Sequence, residues 1–184
     1  MPVPSIAVIV GSLRKGSLNA MLAKALIKLA GERLEFQHVE INDLPLLNQD
    51  LEADLPATVK RMKGQIEAAD GLLIISPEYN RGISGVLKNA IDWGSRPFGK
   101  NSFPGKPAGI GGISPGAIGT ALAQAQLRGV LASVGCHVMP QPELFLQNKD
   151  GLLAPDGTIG NEGTAKFLGA YVDRYIAFVE SYTN

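Results

Sequence analysis

A chain of 184 residues, 45% hydrophobic and 18% charged, is long enough to bury one continuous core and still hold a ligand cleft within a single domain. Seventeen basic residues balance seventeen acidic ones, which argues against a nucleic-acid binder or a polybasic membrane anchor. The lone Cys136 can neither close an intramolecular disulfide nor supply a cysteine-rich metal or iron–sulfur site, and beside Val134 and Gly135 it reads as a small apolar core residue. His38 and His137 lie far apart near predicted strands and read as structural, so no metal site is expected. The opening MPVPSIAVIVGS lacks a basic n-region, and no stretch reaches the roughly 20 apolar residues of a membrane span. A cytoplasmic protein is the expectation.

Along the chain, Ser5–Val10 is a short, nearly unbroken apolar run, as in a strand buried on both faces. From Asn19 to Ala30, residues Met21, Leu22, Ala25, Leu26 and Leu29 recur at helical spacing. Leu34–Ile41 predicts a second strand, less apolar and so nearer an edge. Pro56 can open a helix that runs through Val59, Met62, Ile66 and Ala69. Gly71–Ser76 is a third strand and Val86–Trp93 a helix. Pro107–Ile113 is a fourth strand, weakened by glycines, and Ala117–Val134 a long helix with Leu122, Leu127, Val130 and Leu131. His137–Met139 begins a short fifth strand. Gly163–Tyr182 closes the chain as a helix with Phe167, Leu168, Tyr171, Val172, Tyr175, Ile176 and Val179 on its apolar side. Leu44–Pro56 and Leu144–Gly160 read as long surface connections, candidates for subunit contact or for a lid.

Strands alternating with helices imply an α/β domain over residues 1–184, a parallel sheet with helices on both faces. Five strands suit the doubly wound order 2-1-3-4-5, whose ligand crevice lies at the carboxyl ends of the strands.

The loop after the first strand reads Gly11-Ser12-Leu13-Arg14-Lys15-Gly16-Ser17-Leu18-Asn19. A strand-to-helix loop offers free backbone N–H groups and the positive end of a helix dipole, which suit a phosphate. Ser12, Ser17 and Asn19 add short neutral donors, and Arg14 adds a planar clamp. Gly16 is followed by Ser17 and Leu18 instead of the Lys-Ser/Thr of a Walker A loop, and Leu13 stands where the Rossmann pattern needs glycine, so both readings fail. The plainer alternative is a polar turn in which Ser17 only caps the first helix.

The third strand ends in Ser76-Pro77-Glu78-Tyr79-Asn80-Arg81-Gly82-Ile83-Ser84-Gly85, followed by VLKNAIDW. These segments resemble the NADPH-dependent FMN reductase family, the flavodoxin-like quinone and chromate reductases. Its hallmarks are G-S-x-R-x-x-S-x-N in the first loop and a PEYN segment leading to K-N-A-I-D-W, present here as Gly11–Asn19 and Pro77–Trp93. A glycine-rich turn after the fourth strand corresponds to Gly111-Gly112-Ile113-Ser114-Pro115-Gly116.

The resemblance implies a flavodoxin-like fold and FMN held by Ser12, Arg14, Ser17, Leu18, Asn19, Pro77, Glu78, Tyr79, Asn80, Gly112 and Ser114. It places the backbone of Glu78, Tyr79 and Asn80 at the polar edge of the flavin, with Tyr79 also covering part of the ring. Arg81 is expected to face the substrate or a neighbouring subunit. Lys88-Asn89-Ala90-Ile91-Asp92-Trp93 is expected to serve packing and dimerisation, with Trp93 in the core or at an interface. NADPH or NADH would deliver hydride to the flavin, which would pass electrons to quinones, flavins, azo or nitro compounds, or chromate in a ping-pong cycle needing no catalytic side chain. A homodimer or homotetramer is expected, with helices ending at Trp93 and running through Gln126 and Arg128 as contact faces. Two other classes share the cofactor: a flavodoxin-type electron carrier, disfavoured by the zero net charge, and a flavin-binding sensor without turnover.

Overall fold

The computed structural model describes residues 2–183; Met1 and Asn184, the ends of the expected domain, lie outside them. Chain order is β1 (Ser5–Val10), α1 (Leu18–Ala30), β2 (Glu35–His38), α2 (Ala57–Ala68), β3 (Gly71–Ile75), α3 (Gly85–Gly94), β4 (Pro107–Ser114), α4 (Ala121–Ser133), β5 (His137–Val138), β6 (Phe145–Gln147) and α5 (Glu162–Thr183). The strands run parallel in the order β2-β1-β3-β4-β5, the doubly wound arrangement, with β2 at the edge.

The alternation of side chains along the central strands sorts the core into two layers. Ala7 and Ile9 of β1 and Leu72 and Ile74 of β3 face a cluster with Val59, Met62 and Ile66 of α2, Leu87, Ile91 and Trp93 of α3, and Leu127 and Leu131 of α4. Ile6, Val8 and Val10, with Leu73 and Ile75, face Leu22 and Leu26 of α1 and Leu168, Val172, Tyr175 and Val179 of α5. The apolar runs in β1 and β3 are thus apolar because both faces are covered. Two buried tyrosines in α5 find acceptors on the sheet: Tyr171 donates to the Ile110 carbonyl at 2.9 Å and Tyr175 to the Leu72 carbonyl at 2.8 Å. Tyr175 lies so close to β4 that a Cβ on Gly109 would sit 2.7 Å from its ring, so the strand's glycines make room for packing.

Three elements depart from the sequence reading. The last pairing strand comes in two pieces: β5 pairs with Pro107–Ala108, and β6, in a stretch read as a surface connection, pairs with Gly112–Ser114. Three half-exposed residues carry too little periodicity to announce a strand. The long helix starts at Ala121 instead of Ala117, because Gly119 turns the chain at φ 65° with its α-carbon hydrogens against the backbone of Phe145 and Leu146. The 44–56 connection is tied down at its start. Asn89 accepts from Leu47 N at 2.8 Å and donates to the Pro45 carbonyl at 2.9 Å, Trp93 donates to the same carbonyl at 2.8 Å, and Arg61 grips Asp43 through two 2.8 Å bonds. The K-N-A-I-D-W helix therefore serves packing, and Trp93, wholly buried, belongs to the core and not to an interface.

Cys136 is buried, its thiol directed at the Phe103 carbonyl, and burial pushes its pKa up to about 12. A folded-state pKa above the unfolded value of 9.0 means the native protein keeps a proton that the unfolded chain gives up, so this contribution is intact below pH 9 and falls as pH rises. The stability advantage of wild type over Cys136→Ala should shrink by about 1.4 kcal/mol per pH unit above that point. Urea unfolding of both proteins at pH 8, 9, 10 and 11 reads this directly; a constant gap would contradict it.

Candidate active site

The carboxyl ends of β1, β3 and β4 open into one cleft of about 230 Å³, lined by Ser12, Arg14, Ser17, Leu18, Asn19, Pro77, Glu78, Tyr79, Ile113, Ser114 and Pro115. It lies between neighbouring central strands, where a doubly wound sheet places its ligand. A larger hollow, about 700 Å³, sits at the amino ends of the strands among Pro2–Pro4, Arg33, Asp70 and Glu180, and no loop that starts a helix opens into it.

One end of the cleft is built by the loop before α1. Ser17 is the N-cap, accepting from Ala20 N at 3.3 Å, and its hydroxyl hydrogen stays free to donate. The plainer reading of Ser17 as a cap is thus correct and compatible with a ligand contact. The backbone N–H groups of Ser12, Leu13, Arg14, Leu18 and Asn19 have no protein acceptor among the described residues. Together with the dipole of α1 they make this end of the cleft rich in unpaired donors. Arg14 is exposed at its rim.

Asn19, which lines the cleft, also has a structural task. It is 4% exposed, its amide donates to the Ile113 carbonyl at 3.0 Å, and its carbonyl accepts from Ile113 N at 3.1 Å. The reason lies in the neighbouring strand. β3 stops at Ile75 and the chain turns away at Pro77, so Ile113 on β4 loses its strand partner on that side, and the carboxamide takes the missing place. Asn19 therefore ties α1 to β4.

The opposite wall is a two-residue hairpin. Tyr79 N donates to the Gly82 carbonyl and Gly82 N to the Tyr79 carbonyl, both at 3.0 Å, with Asn80 at φ 50° and Arg81 at φ 67°. Such a turn needs two left-handed residues, which asparagine tolerates and arginine does not. Arg81→Gly should raise the free energy of unfolding by about 1 kcal/mol by relieving that strain; a lower denaturation midpoint would contradict this. Nature keeps an arginine at a position that favours glycine, holding a guanidinium, 68% exposed in its side chain, at the tip. Tyr79, which lines the cleft, is half exposed, and Leu13, Ile118 and Leu122 are exposed apolar side chains elsewhere on the surface.

The structure thus brings Ser12, Arg14, Ser17, Leu18, Asn19, Pro77, Glu78, Tyr79 and Ser114 to one cleft, while Asn80 and Gly112 do not line it. Gly112 is needed for another reason: a Cβ there would sit 2.3 Å from both the Ser76 carbonyl and the Thr120 hydroxyl, and its N–H is already given to Leu144. Ile113 and Pro115 also line the cleft and are absent from the expected set; they lie within the glycine-rich turn as apolar residues with no polar motif of their own.

Comparison with known proteins agrees with this geometry. The profile of the NADPH-dependent FMN reductase family matches residues 4–151. The chain is 49% identical over 174 residues to the 2-hydroxy-1,4-benzoquinone reductase of a Burkholderia species, covering 95% of each chain. It is 45% identical over 177 residues to a quinone reductase of Pseudomonas putida, covering 96% of this chain and 95% of that one. The solved structure of FerB, a flavoenzyme NAD(P)H:(acceptor) oxidoreductase from Paracoccus denitrificans, superimposes with a TM-score of 0.94 at 51% identity, over 98% of this chain and 99% of FerB. Fold, cleft and sequence agree, and the chain belongs to the NADPH-dependent FMN reductase family.

Proposed function

We propose that the chain binds FMN across the carboxyl ends of β1, β3 and β4 and acts as an NAD(P)H:acceptor oxidoreductase, with quinones as its principal acceptors. One observation carries the reading: a cluster of free N–H donors at the start of α1 faces an apolar-floored platform across a single cleft. The donor set suits the cofactor at both ends. The 12–19 loop offers only hydrogen-bond donors and positive potential, as a phosphate dianion requires. The 77–82 hairpin offers the free N–H group of Glu78, suited to the polar edge of a flat heterocycle, in a cleft that Ile113 also lines.

When bound, FMN would supply the redox chemistry that links a reduced nicotinamide nucleotide to the acceptor. The chain's part is placement. Arg14, Ser12, Ser17 and Leu18 anchor the phosphate; Pro77, Glu78 and Tyr79 seat the ring edge; Ser114 closes the side formed by β4; Arg81 presents its charge to the incoming substrate. No side chain need act as nucleophile or general base. The cleft, with Tyr79 half exposed in its lining, would admit flat acceptors of varied shape: quinones as for the relatives, and flavins, azo and nitro compounds or chromate as well.

The decisive experiment is anaerobic. FMN-loaded protein should be yellow, bleach on addition of NADPH or NADH, and turn over steadily with a benzoquinone. A protein that binds FMN yet oxidises neither nucleotide would be a carrier or a sensor, and one that takes up no FMN would end the proposal.

No helix among the described residues is long and apolar enough to cross a membrane. We assign residues 1–184 to one flavodoxin-like domain acting in the cytoplasm, where reduced nicotinamide nucleotides are made. The exposed apolar side chains Ile118 and Leu122, together with Gln126 exposed on α4, support a homodimer, or a homotetramer of two such pairs; sedimentation velocity would show a monomer if this is wrong.

A further inference from the structure

The hairpin that forms one wall of the cleft is held by α4 at both ends, and the grip depends on side chains. A helix leaves its first N–H groups without partners, and normally its own N-cap residue supplies an acceptor. In α4 it does not: Thr120, the N-cap, makes no capping bond, and its hydroxyl instead accepts from Gln124 at 2.8 Å in the core. The acceptor comes from another loop. Glu78 Oε2 accepts from Leu122 N and from Ala123 N, each at 3.0 Å, with the side chain only 10% exposed. One turn further along the helix, Gln126 Oε1 accepts from Ile83 N at 2.9 Å. Gly82 lies against that same oxygen, where a Cβ would be 2.9 Å away, so the hairpin stem sits directly on the helix.

Between these two attachments lies the Tyr79–Gly82 turn, with its two left-handed residues. A strained turn of this kind persists only where its surroundings over-determine it. We infer that Glu78 and Gln126 are positioning residues, whose side chains clamp the 78–83 hairpin to α4 and thereby set the N–H group of Glu78 where a flavin edge meets it. Glu78 thus acts twice, its main chain facing the cleft and its carboxylate serving as the missing cap of α4. The inference rests on FMN lying in this cleft; the clamp itself does not.

The test uses the full chain, with readouts both without and with FMN. Hydrogen exchange of the FMN-free protein reports the clamp, fluorescence titration gives the FMN dissociation constant, and stopped-flow reduction at saturating NADPH gives the limiting rate. In Glu78→Ala, exchange over residues 77–83 should quicken about tenfold while α5 is unchanged, since the loss is local. The FMN dissociation constant should rise, and the limiting rate fall, by about tenfold as the ring edge loses its register. Glu78→Gln keeps an oxygen that can accept both N–H bonds and should recover to within about threefold of wild type in all three. Gln126→Met, which keeps helix propensity and removes the acceptor, should shift exchange and affinity in the same direction, and it decides the matter alone if Glu78→Ala does not fold. Exchange and affinity within twofold of wild type in the alanine and methionine variants would overturn the inference, as would a glutamine variant no better than alanine. Wild-type protein that fails to take up FMN would overturn the cofactor reading instead, leaving the exchange result to judge the clamp.

Discussion

Arg14→Ala should raise the dissociation constant for FMN by about 10- to 100-fold, the range expected when a hydrogen-bonded charge opposite a phosphate is removed. Arg14 lines the phosphate end of the cleft, beside the free N–H groups of the 12–19 loop and the start of α1. Those groups remain in the variant, so binding should weaken and not vanish. The side chain is exposed and belongs to no core cluster, so the unfolding midpoint of the FMN-free protein should move little. Riboflavin, which lacks the phosphate, serves as the control: its affinity should be nearly the same in wild type and variant. Wild-type FMN affinity in Arg14→Ala would refute the phosphate role.

Asn19→Leu should behave in the opposite way. The substitution keeps roughly the same volume and removes both hydrogen bonds to Ile113, leaving a buried N–H and a buried carbonyl without partners. At about 1–3 kcal/mol for each stranded group, the cost is about 2–6 kcal/mol, a large share of the 5–15 kcal/mol that typically holds a domain together. Urea unfolding of the FMN-free protein measures it. FMN affinity should also drop, because α1 and β4 carry opposite sides of the cleft and Asn19 is what joins them. A full-stability variant with weak FMN binding would return Asn19 to the role of a phosphate ligand. The two substitutions therefore separate a residue that touches the ligand from one that holds the site together, although the same loop motif contains both.

That separation marks where sequence reading reached its limit. Loop residues with free donors, such as Ser12 and Arg14, were assigned by what a strand-to-helix junction does with its unpaired N–H groups, and the cleft contains them. Asn19, Glu78 and Trp93 were each seen as parts of motifs, yet their partners, Ile113, the first turn of α4 and Pro45, lie 94, 44 and 48 positions away. Side-chain hydrogen bonds at that range leave no periodicity in the chain. The family resemblance makes Gly112 a ligand contact; the absence of a side chain there also admits Ser76 and Thr120.

The sequence by itself determined the sheet and its helices, because the free energy of burying apolar faces is written as local spacing: unbroken runs for β1 and β3, a 3.6-residue period for α1 and α5. It also determined where the ligand loops fall, since a parallel sheet puts them at the carboxyl ends of its strands. Only the tertiary structure decided that β6 completes the sheet beside β4, that Asn19 stands in for the missing end of β3, and that Glu78 caps a helix other than its own. Each of these satisfies a backbone group left without a partner by a strand or helix end. Where such ends meet is set by the packing of the whole chain, so no local pattern could have announced it.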